Sequence, residues 1–205
     1  MKKSDAPRII ALSGASGSGK TTIARALAAS FELDQSYILS LDHFYRDLSH
    51  LAPQERAQQD FDHPDSIEHS ALHHVLSCLK EGKSAQIPQY DFEVHTRKKE
   101  TLEIAPHPLI IVEGIFALSY PEIRGLLDLK VFVTCPDSVY LPRRIQRDMQ
   151  ERGRTRACIL DQYYKTVLPA FKTHIEPQAG YADFTTDGTQ AVEVSVETIR
   201  RSLAD

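Results

Sequence analysis

The chain has 205 residues, 41% of them hydrophobic and 25% charged, with a formal net charge of −4 at pH 7. That length suits one domain, 1–205, with a full apolar core, and the charge balance offers no basic surface to nucleic acid or an anionic membrane. No apolar run is long enough to span a bilayer and no secretory leader opens the chain, so a cytoplasmic protein is expected.

The first element is Arg8-Ile9-Ile10-Ala11-Leu12-Ser13, which reads as a buried strand. Gly14, Ala15, Ser16, Gly17, Ser18, Gly19, Lys20, Thr21 and Thr22 follow it and fit G-x-x-x-x-G-K-[ST]. Glycines let the backbone curl so that successive N–H groups face phosphate oxygens. In this pattern Lys20 reaches the β- and γ-phosphates and the Thr21 hydroxyl ligates Mg²⁺. Ile23, Leu27 and Ala28 recur at helical spacing, so a helix over 22–30 adds its positive N-terminal end. This is a nucleotide site.

Ser36 to Leu41 is a second apolar run of strand length, ending in Asp42-His43-Phe44-Tyr45. Ligands of open parallel sheets sit beyond the carboxyl ends of the strands, so Asp42 could face the terminal phosphate. Residues 49–60 read as polar surface. Phe61-Asp62-His63-Pro64-Asp65 is a stiffened bend, and Asp65 with Glu68 resembles a capping pair. The helix behind it buries Ile67, Leu72, Val75, Leu76 and Leu79 and stops at Gly82. Its His69, His73 and His74 lack the partners of a zinc site and read as surface histidines.

Residues 85–88 and 100–104 read as two short strands around the aromatic stretch Gln89 to Arg97. A hairpin there is either a flap over a flat ligand or a mini-core that pins the hairpin down. Leu109 to Gly114 is the strongest buried-strand signal. It ends in Glu113, the carboxylate that supports Mg²⁺ in a phosphate-loop site. Residues 129–133 add a strand, and the alternation of strands and helices implies a doubly wound parallel sheet. Between 143 and 156 lie Arg143, Arg144, Arg147, Arg152, Arg154 and Arg156, with Gly153 among them. Beside a phosphate loop, such forked groups read as a mobile phosphate clamp. Residues 159–171 are helical until Pro169, 182–186 form a weak last strand, and 192–203 form a closing helix. Cys78, Cys135 and Cys158 are far apart and read as free thiols of a reducing compartment.

The blocks GASGSGKTT, LDHFYR, FDHPD, IPQYDF with HTR, IVEGI, RRIQRD with ERGR, and DQYYKTVLPAF with YAD, spread over Arg8 to Leu203, resemble the uridine kinase (uridine–cytidine kinase) family. The resemblance implies an α/β P-loop kinase with a small β-hairpin flap near 84–104 and a helical, Arg-rich lid near 137–156. It implies transfer of the γ-phosphate of ATP or GTP to the 5′-hydroxyl of uridine or cytidine, with Mg²⁺, and a homo-oligomer, commonly a tetramer. By position, Asp42 would orient and deprotonate the 5′-hydroxyl, while Lys20, Arg147 and Arg152 would serve the phosphates. Thr21, Glu113 and Asp42 would surround the metal. Asp62 would bind the ribose hydroxyls with Arg154 beside it, Tyr90, Phe92 and His95 the pyrimidine, and Arg144 and Gln162 would also face the nucleoside.

The chain departs from the family pattern in three places. Pro142 implies that the lid helix begins later or kinks, Tyr140 replaces a frequent arginine, and Phe-Thr-Thr-Asp-Gly-Thr-Gln follows YAD in place of an apolar strand and basic turn. Among rival readings, a phosphoribulokinase-like or pantothenate-kinase-like enzyme shares the phosphate loop, but the aromatic stretch and FDHPD favour a nucleoside. A GTPase switch would need Asn-Lys-x-Asp, and the chain contains no asparagine. A non-catalytic nucleotide-binding module would not need Asp42, Glu113 and the arginines together.

Overall fold

Apolar runs supply a five-stranded sheet, every pair of which is parallel, in the order β2-β7-β1-β8-β9. These strands are β1 (Arg8–Gly14), β2 (Ser36–Ser40), β7 (Leu109–Glu113), β8 (Leu129–Thr134) and β9 (Phe184–Asp187). Between them in sequence, β3 (Ala85–Ile87) pairs antiparallel with β6 (Leu102–Ile104), and β4 (Tyr90–Asp91) with β5 (Thr96–Arg97). The helices are α1 (Lys20–Ala29), α2 (Pro53–Arg56), α3 (His69–Lys80), α4 (Pro121–Arg124), α5 (Asp137–Arg152), α6 (Arg156–Gln162), α7 (Leu168–Ala170) and α8 (Val192–Ala204). This computed structural model describes residues 6–32, 34–56 and 58–204, without the side chains of Glu151 and Arg152.

Successive strand residues face opposite sides, and β1 is buried on both. Ile9 and Ala11 join the core under α3 and the hairpin, with Leu72, Leu76 and Phe116. Ile10 and Leu12 join the core under α1 and α8, with Ile23, Leu27 and Ile199. The register sets Leu12 and Ser40 on either side of Glu113. The phosphate loop, the turn carrying Asp42, and Glu113 therefore leave the sheet at one edge, its carboxyl end.

Several local expectations need correction. No Asp65–Glu68 capping pair forms: α3 starts at His69 with Glu68 at its N-cap and no side-chain cap. Glu68 Oε2 instead pairs with Arg97 Nη1 at 2.5 Å, the stronger use of a carboxylate beside a forked cation. The lid helix does not begin after Pro142. It starts at Asp137 and runs through the proline, which forfeits only the N–H that would reach the Ser138 carbonyl. Nor does Pro169 end its helix, because α7 holds it between wider π turns at Tyr163–Val167 and Phe171–Ile175, where i→i−4 bonds are not required. The weak last strand is real, and β9 closes the sheet beside β8.

Candidate functional site

The phosphate loop is shaped by backbone that only glycine adopts easily. Gly14, Gly17 and Gly19 have φ of 143°, 86° and 103°. A Cβ at Gly14 would strike the Val133 carbonyl, and one at Gly17 the Tyr140 carbonyl, so the loop is pressed against β8 and α5. Lys20 opens α1 and is buried, its Nζ donating to the Ala15 carbonyl at 2.8 Å. Burial pulls its pKa down. The Glu113 and Asp42 carboxylates push it back up, and Arg147 and Arg144 act with burial. Those five side chains thus share one electrostatic environment.

Glu113, buried at the end of β7, accepts from Thr21 Oγ1 at 3.2 Å and from Ser40 Oγ at 3.0 Å. Ser40 in turn accepts from the Asp42 backbone N–H at 3.4 Å, capping the 3₁₀ turn Leu41–Phe44. Ser40 was not apparent as a site residue in the sequence. Its position two residues before Asp42, as a turn cap, was the available signal. Thr21, Ser40, Asp42 and Glu113 offer only oxygen donors, the set that a Mg²⁺ shared with substrate phosphates takes.

Asp62 is buried, at 8% exposure, with Thr166 Oγ1 donating to its Oδ2 at 3.4 Å. Burial raises its pKa, while the Arg144 and Arg154 guanidiniums hold it back. Arg154 Nη1 donates to Gln162 Oε1 at 2.6 Å. Asp62, Arg144, Arg154 and Gln162 therefore form one polar wall. Thr166, one turn past Gln162, is an addition.

Tyr90, Phe92 and His95 gather with Tyr45 and Phe61. Tyr90 lies 5.3 Å from Tyr45 and 5.2 Å from Phe92 between ring centroids, and His95 stacks on Phe61 at 5.0 Å. Tyr90 is buried in the main core, whereas Phe92 is 44% exposed. The hairpin is thus pinned by a mini-core and still presents a ring outward. Burial pushes the Tyr90 phenol up to about 12, and its buried hydroxyl has no hydrogen-bond partner among the described residues.

On α5, Arg147 Nη2 donates to Ser16 Oγ in the phosphate loop at 3.2 Å. Arg143 Nη1 donates to the Gly188 carbonyl at 3.1 Å, beside the loop. The side chain of Arg152 lies outside the described residues. Tyr140, in place of an arginine, is buried and exchanges a 2.8 Å hydrogen bond with Tyr163 under Ala15. The residue least legible in the sequence is Asp148, fully buried among Arg144, Arg147 and Arg154. Its four-residue spacing from Arg144 was the one sequence signal.

The family model described as Phosphoribulokinase / Uridine kinase family matches residues 9–195. A uridine kinase of Alkaliphilus metalliredigens is 41% identical over 203 residues, covering 97% of this chain and 98% of that protein. A uridine kinase of Clostridium novyi is 40% identical over 203 residues with the same 97% and 98% coverage. The structure of phosphoribulokinase from Rhodobacter spheroides superposes with a TM-score of 0.65 at 19% identity, covering 90% of this chain and 71% of that one. At that identity the likeness speaks for the fold alone.

Proposed function

Since the chain belongs to the phosphoribulokinase/uridine kinase family, we propose that it transfers the γ-phosphate of ATP or GTP to the 5′-hydroxyl of uridine or cytidine. The observation that carries the acceptor is Asp62, a buried carboxylate flanked by Arg144, Arg154 and Thr166. Such a group fits the paired hydroxyls of a ribose. The uridine kinases of Alkaliphilus and Clostridium, similar along their whole length, support the same acceptor.

In this reading the loop Gly14–Thr22 cradles the donor phosphates and Lys20 draws charge from them. Asp42 takes the proton from the 5′-hydroxyl, whose oxygen attacks the γ-phosphorus as the bond to the leaving nucleoside diphosphate breaks. Thr21, Glu113, Ser40 and Asp42 would hold Mg²⁺, which neutralises phosphate charge when bound. Arg147 and Arg152 clamp the moving phosphoryl group, and Arg144, Arg154 and Gln162 orient the nucleoside against Asp62. Tyr90, Phe92 and His95 face the pyrimidine. Phosphoryl transfer is mostly positioning and charge stabilisation, which this arrangement supplies. Residues 84–104 act as flap and 137–156 as lid of a single domain, in a cytoplasmic homo-oligomer. The test is a screen with Mg-ATP, the common nucleosides, ribulose 5-phosphate and pantothenate. Uridine and cytidine are expected to turn over, and exclusive turnover of ribulose 5-phosphate or pantothenate would contradict the proposal.

A further inference from the structure

Asp148 is fully buried, yet among the described residues three guanidiniums converge on it. Arg147 reaches its Oδ1 with Nε at 3.0 Å and Nη2 at 2.8 Å. Arg144 Nε lies 3.7 Å, and Arg154 Nη1 3.8 Å, from its Oδ2. Its backbone carbonyl also caps the end of α5, accepting from Gly153 N–H and, at 3.2 Å, from Arg154 N–H. Gly153 turns the chain there with φ of 61°.

The partners of these arginines diverge. Arg147 reaches Ser16 in the phosphate loop, whereas Arg154 reaches Gln162 on the wall with Asp62. One carboxylate therefore fixes a cation on the donor side and a cation on the acceptor side. Without it, the guanidiniums would repel one another in a buried place.

We propose that Asp148 is a positioning residue that couples the two substrate subsites, aiming Arg147 at the donor phosphates and Arg154 at the nucleoside. This rests on the nucleoside-kinase reading of the site. Two consequences separate positioning from a structural role. Nucleotide and nucleoside each bind more tightly when the other is present, and the loss of Asp148 weakens that synergy more than it weakens nucleotide binding alone. The effect of losing Asp148 also depends on the arginines being there.

The test compares wild type, Asp148→Asn, Arg147→Ala, Arg154→Ala, and the two double variants, by kcat and KM with Mg-ATP and uridine. The Kd for a non-hydrolysable ATP analogue is measured with and without uridine. Asp148→Asn is expected to lower kcat/KM for uridine by roughly 10- to 100-fold, to abolish most of the synergy, and to change the Kd of the analogue alone by less than about threefold. Adding Asp148→Asn to Arg147→Ala or Arg154→Ala is expected to cost far less than in the wild type. If Asp148→Asn alone does not fold, the double variants, with the repulsion relieved, carry the comparison. Fully multiplicative losses, or intact synergy in Asp148→Asn, would overturn the inference. A wild type that does not phosphorylate uridine would instead overturn the functional reading.

Discussion

At the scale of single residues, two carboxylates are asked for opposite things. In the proposed mechanism Asp42 takes a proton, and it stands in a capped turn within the field of Lys20. Asp42→Asn keeps the shape but cannot accept that proton. It is expected to lower kcat by about 10²- to 10⁴-fold while leaving the Kd for ATP nearly unchanged. Steady-state turnover above a third of wild type would remove Asp42 from this role. Asp62 must instead keep its charge in a buried place, and burial raises its pKa above the ordinary 3.8. A carboxyl raised in the folded state costs no stability below its unfolded pKa. It costs progressively more as pH rises through the window up to its folded value. Asp62→Asn is therefore expected to melt at a higher temperature than wild type at pH 7.5, with the gain shrinking towards pH 4. Melting curves showing no gain at pH 7.5 would contradict this. On the proposed function, the residue serves binding at some expense of stability.

At the scale of elements, the hairpin and the turn carrying Asp42 are joined by Arg97. Its Nε donates to the Tyr45 carbonyl at 2.8 Å and its Nη2 to the Phe44 carbonyl at 3.2 Å. Its third nitrogen pairs with Glu68. Only a planar fork reaches all three at once. Arg97→Met is expected to raise KM for the nucleoside by about tenfold or more and leave KM for ATP within about twofold; Arg97→Lys is expected not to rescue it. Kinetics with equal effects on both substrates would sever the proposed link between hairpin and acceptor. The turn after β9 packs against the phosphate loop. Gly188 N–H donates to the Thr134 carbonyl at 2.8 Å, and a Cβ there would collide with the Ser18 carbonyl. Gly188→Ala is expected to push the phosphate loop aside and to raise KM for ATP with little change for uridine, as initial rates with each substrate varied in turn will show.

At the scale of the molecule, what could be read from the sequence was what neighbours in sequence decide. The phosphate loop is one continuous stretch between a strand and a helix, and both survive as read. Asp42 and Glu113 were recognisable because an acid at the end of an apolar run must leave a parallel sheet at its carboxyl edge. Asp148 was hidden because its role comes from the Gly153 turn folding Arg154 back onto α5, which spacing alone does not specify. Arg97 was hidden because its acceptors are backbone carbonyls some fifty residues away. The two prolines misled about where a helix starts or stops for a related reason. Pro142 and Pro169 each remove a donor, but the surrounding helical turns absorb the loss.

In the proposed complex a ribonucleoside sits with its sugar on Asp62 and its 5′-hydroxyl at Asp42. The most direct measurement is kcat/KM for uridine and 2′-deoxyuridine, on wild type and on Asp62→Ala. A buried charged acceptor deprived of its hydroxyl costs about 1–3 kcal/mol or more, so wild type is expected to prefer uridine by roughly ten- to a few-hundred-fold. Asp62→Ala is expected to lose most activity on uridine and to narrow that preference. An unchanged preference after the substitution would remove Asp62 from the sugar site.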